Sequence, residues 1–152
     1  METQHGIVTL AKFNGLLDTL ISKIQADETF SPDTILALST GGFPVAAALA
    51  KRLDIRSQDV VGLPVHKDEH GDYHLDDRIV TLGSCAGRQV LAVDESSYRG
   101  LLTAKASATV EEHGGVGKSS VLIAWEGGIQ PDFVAENCPG KPPQFYWEAI
   151  VG

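Results

Sequence analysis

The stretch VLAVDESSYRGLLTAKASATVEEHG, residues 90–114, decides the fold. Its opening apolar run, Val90-Leu91-Ala92-Val93, has no polar alternation and reads as a strand buried on both faces, as in a parallel sheet. Two acids, Asp94 and Glu95, end the run. A short Ser/Tyr/Arg/Gly turn follows, and residues 101–113 then read as a helix with Leu102, Ala106, Thr109 and Val110 inward. Carboxylates accept hydrogen bonds from sugar hydroxyls. Loop amides and the positive end of a helix dipole face an anion. Strand, acid pair, turn and helix start together suit a sugar phosphate.

The same rhythm extends in both directions. Phe13, Leu16, Leu17, Leu20, Ile21 and Ile24 stand at helical spacing, and that helix is expected to end near Ala26-Asp27. Residues 34–38 form a β-prone run, followed by the tight loop Ser39-Thr40-Gly41-Gly42. A helix through Leu53 comes next, with Pro44 near its first turn, where proline is tolerated. Further strands are expected at 60–65, 89–93 and 119–125. A Gly/Pro-rich connection then leads to a last short strand at 144–146. Strands alternating with helices imply an α/β chain with a three-layer parallel sheet and right-handed crossovers. In such a sheet ligands bind outside the carboxyl ends of the strands. The loops at 39–42 and 94–100 both leave that edge.

Composition bounds the function. The 152 residues match a single domain, 1–152, with an N-terminal helical segment at 1–30 and a core at 31–148. A net charge of −8 argues against nucleic acid as a partner, because phosphate neutralisation needs clustered Lys and Arg. No apolar run reaches spanning length and the start has no signal-peptide pattern, so the expectation is a cytoplasmic protein with no membrane partner. The cysteines, Cys85 and Cys138, form no close-spaced motif; a reduced pair is the expectation, with a disulfide between them as the alternative.

Two tempting motifs carry little. GVGKSS at 115–120 resembles the end of a phosphate-binding Gly-rich loop, but Glu112 stands where its first Gly belongs, and the segment follows a helix. His66, His70 and His74 recur every four residues, a spacing that on a helix suits a metal. Gly71 and the polarity of 66–78 argue instead for a mobile loop or a poorly anchored hairpin.

These segments, in order, resemble the type I phosphoribosyltransferases, enzymes that transfer ribose 5-phosphate from phosphoribosyl pyrophosphate (PRPP) to a base. The family signature runs from a few apolar residues through two acids and three variable residues to Thr-Gly, and residues 90–100 follow that layout. ILALSTGGFPVAAALAKRLDI resembles the pyrophosphate loop and its helix, and QPDFVAENCPGKPPQFYWE the tail of xanthine/guanine-type members. The resemblance implies a phosphoribosyltransferase-like fold with PRPP and Mg²⁺ as co-substrate and cofactor, a base-like acceptor, and a homodimer. It assigns Asp94 and Glu95 to the ribose hydroxyls and to Mg²⁺. Ser96, Ser97, Arg99, Gly100 and Leu101 fall to the 5′-phosphate, and Ser39, Thr40, Gly41 and Gly42 to the pyrophosphate. Tyr98 stands where purine-type members often carry an Asp that manages the base proton. The 66–78 segment takes the place of a flexible hood with Lys67 and His66 as charge-neutralising groups, and Trp125, Phe145, Tyr146 and Trp147 would offer a stacking surface. The chain departs from the pattern at Arg99 (usually Thr), at Thr40 (often Arg or Lys), at Trp125-Glu126 (where purine-type members carry a Lys) and at Tyr146 (usually Pro). An effector-binding domain of the same fold, without catalysis, is the rival reading.

Overall fold

A computed structural model describes residues 6–76 and 85–151. Helix α1, Leu10–Ala26, begins at Thr9, whose hydroxyl accepts the Lys12 amide at 3.2 Å. It buries the six apolar residues that its sequence places on one face. Strand β1, Thr34–Leu38, is buried at every position and runs directly into α2, Ser39–Arg52. Strand β2, Val60–Leu63, follows a 3₁₀ turn at Ser57–Asp59. The strand expected over 60–65 stops short because Pro64 has no N–H for a ladder. Val65 instead opens an antiparallel hairpin of β3, Val65–Lys67, and β4, Tyr73–Leu75.

Strand β5, Gln89–Ser97, is followed by α3, Leu101–Glu112, and by β6, Val116–Trp125. Then come β7, Phe133–Cys138, and α4, Tyr146–Val151. The main sheet is wholly parallel, in the order β2-β1-β5-β6-β7. From β1 the chain turns outward through α2 to β2, while from β5 it turns the other way through α3 to β6. The β1/β5 boundary is therefore the switch point, where ligand crevices form in such sheets.

Side-chain alternation along the strands feeds two cores. Ile35, Ala37, Leu91 and Val93 pack with α1 and α2; Leu36, Leu38, Val90 and Ala92 pack with Ala106 and Val110 of α3. Leu20, Leu36 and Leu49 are fully buried, each contributing about 1.5–3 kcal/mol from apolar burial.

The structure corrects the sequence expectation in several places. Residues 39–42 form the first turn of α2, not a loop before it, although Ser39 enters with φ 56°. Strand β5 extends through Ser97, so both acids lie within it. Strand β7 lies in the span expected to be a connection. No strand covers 144–146: only Phe145 bridges Val8, after which α4 begins. The Phe145 amide donates to the Glu148 carboxylate at 3.0 Å, a capping interaction that commits the chain to a helix. Thr103 rather than Thr109 is buried on α3. The 66–78 segment is an ordered hairpin over its described part, with Leu75 packed against the core that holds Leu63 and Ala106 and the Tyr73 carbonyl accepting the Lys105 ammonium at 3.0 Å. Residues 77 and 78 of that segment, and 1–5 of the N-terminal segment, lie outside the described residues.

Candidate functional site

The register places Ala37 beside Val93, so the residues that follow each leave the sheet edge side by side. Gly42 presses the first turn of α2 onto β5, where a Cβ would come within 2.6 Å of the Val93 carbonyl oxygen. One residue earlier, a Cβ on Gly41 would collide with the Glu95 carboxylate. Glu95 thus lies directly over the α2 N-terminus. That helix has no side-chain cap and no acid in its own first turn, so its first amides turn their positive potential toward the Glu95 carboxylate.

Asp94 is buried, 7% exposed, and its Oδ1 accepts the Glu95 amide at 2.9 Å. Burial pushes the Asp94 carboxyl well above the usual aspartate range, and the neighbouring Glu95 and Glu148 carboxylates push the same way. Glu148 arrives from α4, and its carboxyl is raised first by burial and then by Glu95. The Glu95 Oε2 atom is buried without a hydrogen-bond partner, and no cation among the described residues pairs with any of the three acids. Desolvated, mutually repelling carboxylates are costly unless a ligand offsets them. Glu148 is the member that the sequence reading missed; its carboxylate makes only the glutamate half of a capping box, and Phe145 carries no capping oxygen that would have signalled it.

Ser96 and Ser97 are the last residues of β5, paired with Ile123 and Ala124, so the free turn is 98–100. Gly100 adopts φ 85° and caps α3 with no side-chain bond, again leaving first-turn amides exposed to an anion. The turn is backed by residues 126–130. The Ile129 amide donates to the Arg99 carbonyl at 2.9 Å, and a Cβ on Gly100 or Gly128 would strike backbone of the opposing turn. Arg99 and Leu101 are exposed beside this turn. Tyr98, 45% exposed, leans on Trp125 with centroids 4.7 Å apart, forming one aromatic surface at the ends of β5 and β6.

The remaining predicted residues lie elsewhere. Phe145 is fully buried, which leaves no ring face for a base. Tyr146 and Trp147 pack edge-on against Phe13 of α1, at 6.3 and 5.3 Å. The Lys67 ammonium sits 5.2 Å over the Tyr73 ring within the hairpin, and His66 stacks on His74. Ser39, Thr40, Gly41, Gly42, Asp94, Glu95 and the 96–101 segment do converge at the switch point. Cys85 is buried, and the half-buried Cys138 thiol donates to the Gly140 carbonyl at 3.1 Å. No helix among the described residues is long and apolar enough to cross a membrane.

The donor set fits Mg²⁺. Hard oxygens are what this ion takes, and the orphaned Glu95 Oε2 beside Asp94 offers them. Among the described residues no group of three such side chains stands arranged to hold a metal by itself. Mg²⁺ commonly uses one or two carboxylates and takes its other oxygens from water and substrate phosphates, so the pair suffices.

No protein-family model matches the sequence, and neither does any curated protein. Solved structures do match. The Helicobacter pylori xanthine-guanine-hypoxanthine phosphoribosyltransferase superposes with a TM-score of 0.79 at 16% identity, covering 97% of this chain and 96% of that one. A purine phosphoribosyltransferase from Pyrococcus horikoshii gives 0.72 at 18% identity, covering 91% and 90%. A hypothetical protein from Neisseria gonorrhoeae, solved with bound ppGpp, gives 0.77 at 17% identity, covering 99% and 93%. The chain has the phosphoribosyltransferase fold.

Proposed function

We propose that the chain binds PRPP with Mg²⁺ at the β1/β5 switch point and transfers its phosphoribosyl group to a base-like acceptor. The observation that carries this reading is the acid pair on β5, with Asp94 buried and Glu95 Oε2 without a hydrogen-bond partner, standing between two helix N-termini that lack side-chain caps. Asp94 and Glu95 accept the ribose 2′ and 3′ hydroxyls. The first amides of α3, with the Ser96 and Ser97 hydroxyls and the Arg99 guanidinium, hold the 5′-phosphate. The first amides of α2, at Thr40, Gly41 and Gly42, face the departing pyrophosphate. Bound Mg²⁺ supplies charge neutralisation for the pyrophosphate oxygens. As the bond to pyrophosphate lengthens, the ribose ring gains positive charge, which the neighbouring carboxylates stabilise electrostatically. Tyr98 and Trp125 present the aromatic surface on which a flat acceptor lies, and Tyr98 stands beside the acceptor's transferable proton. Tyr146 and Trp147, turned toward Phe13, support the acid cluster through Glu148 rather than stacking on the acceptor.

Pyrophosphate release from PRPP, measured across a panel of purine, pyrimidine and pteridine-like acceptors, tests the reaction. Release with one acceptor, lost in Asp94→Asn/Glu95→Gln, is expected; no release with any acceptor from protein that binds PRPP contradicts transfer. Arg99 in the phosphate turn and the ppGpp-bound gonococcal neighbour favour a second reading, a non-catalytic domain that binds a phosphorylated nucleotide as effector. Saturable binding of a guanosine polyphosphate, weakened by Arg99→Ala and unaccompanied by pyrophosphate release, would select it. We also propose a homodimer, with no nucleic-acid partner, in the cytoplasm; the strong negative charge supports the exclusion of nucleic acid.

A further inference from the structure

The β3–β4 hairpin places side chains together that the sequence separates. Its register sets His66 directly opposite His74, and their rings lie parallel with centroids 5.2 Å apart. Residues two apart on a strand share a face, so Asp68 and Asp72 join this pair. The opposite face, with Val65, Lys67, Tyr73 and Leu75, is turned to the body of the protein through Leu75. The histidine face is therefore the outward one.

Asp68 is held in place. Its Oδ1 accepts the amides of His70 and Asp72 at 2.8 and 2.9 Å, while Oδ2 meets His74 Nε2 at 2.8 Å. A carboxylate on one ring nitrogen fixes the proton there and leaves the other nitrogen's lone pair for a ligand. Metal-binding histidines are oriented in this way.

We propose that His66 and His74 form a binding site for a borderline divalent cation of the Zn²⁺, Ni²⁺ or Cu²⁺ class, with Asp68 as the residue that positions His74. Two nitrogens bound to one such ion at about 2.0–2.1 Å stand roughly 3.3 Å apart. Rings 5.2 Å apart at their centroids reach that separation as the His66 edge tips toward the His74 ring that Asp68 holds, a rotation about χ2 that is soft for histidine. Water completes the coordination, in keeping with the absence of a three-residue cage among the described residues. Imidazole nitrogens select this class over Mg²⁺, so the site is chemically separate from the acid pair. Because the Tyr73 carbonyl holds Lys105 of α3, a bound ion would stiffen the hairpin against the helix that opens at the phosphate turn.

Titration of tag-free, full-length protein with ZnCl₂, followed by calorimetry and by histidine-ring NMR lines, tests the site. One equivalent is expected to shift the His66 and His74 lines and leave His70 and His113 in place. Affinity should fall at least about 10-fold in His66→Gln and His74→Gln, and about 10–100-fold in Asp68→Asn. Asp94→Asn/Glu95→Gln should bind Zn²⁺ as the wild type does, and excess Mg²⁺ should not compete. No line shift at millimolar Zn²⁺ in folded protein overturns the proposal, as does full affinity in both histidine variants. Should a variant unfold by circular dichroism, the wild-type line shifts decide the matter alone.

Discussion

Replacing Asp94 with Asn should stabilise the ligand-free protein while disabling its site. Asn preserves the shape and can still accept the Glu95 amide through Oδ1, so only the buried charge is lost. The folded Asp94 carboxyl titrates well above its unfolded value. Between those two values the folded state binds more protons than the unfolded one. The stability that this group contributes is therefore complete below the ordinary aspartate range and is lost as pH rises through the raised folded value. Each unit of that elevation costs about 1.4 kcal/mol once pH exceeds it. For a chain of 152 residues this corresponds to about 3–6 °C in Tm per unit. Calorimetric scans in chelator-containing buffer should show Asp94→Asn melting at least about 3 °C above wild type at pH 8 and level with it near pH 3. A lower Tm at pH 8, or an equal shift at both pH values, would refute the claim that the acid cluster is electrostatically strained.

Glu148→Gln should shift the melt in the same direction by less, since Glu148 is only half-buried; its Gln carbonyl can keep the Phe145 bond, and the same scans at pH 8 report it. Gly100→Ala forces a Cβ into the Ile129 carbonyl at φ 85°, so urea unfolding should show a loss of about 2–5 kcal/mol with an unchanged m-value. At the other end of the sheet, Arg88 and then Arg56 hold Asp59 below the usual carboxylate range. The stability from that pairing is present above the ordinary aspartate range and is lost as pH falls through the lowered value. Arg88→Gln should therefore lower the Tm at neutral and alkaline pH and leave it unchanged at the acid end, which flattens the acid limb of the Tm–pH profile.

Much of this arrangement was legible in the sequence because it is written in local patterns. The inward face of α1 is spelled by six apolar residues at helical spacing, and all six are buried. The continuous apolar run before Asp94 announced a central parallel strand, and the strand–helix rhythm placed both loops on one edge. What stayed hidden depends on long-range pairing. Strand β7 lies at the sheet edge, and Phe133 and Val134 are its only buried residues, so the period-2 signal is nearly absent. The extension of β5 through Ser97 is imposed by pairing with β6, not by the propensity of two acids and two serines. Glu148 reaches the acid pair only because Phe145 bridges Val8 and turns α4 inward, a contact made across nearly the whole chain. The hairpin was read as weakly anchored because its polar residues dominate; Leu75 and Lys105, which tie it down, act through neighbours distant in sequence.

Calorimetric titration of PRPP with Mg²⁺ into the folded chain tests the central claim most directly, that the switch-point acids and helix N-termini form a ribose-phosphate site. Saturable, Mg²⁺-dependent heat that disappears in folded Asp94→Asn/Glu95→Gln is the predicted result. No heat at millimolar PRPP, or equal heat in that double variant, would contradict it.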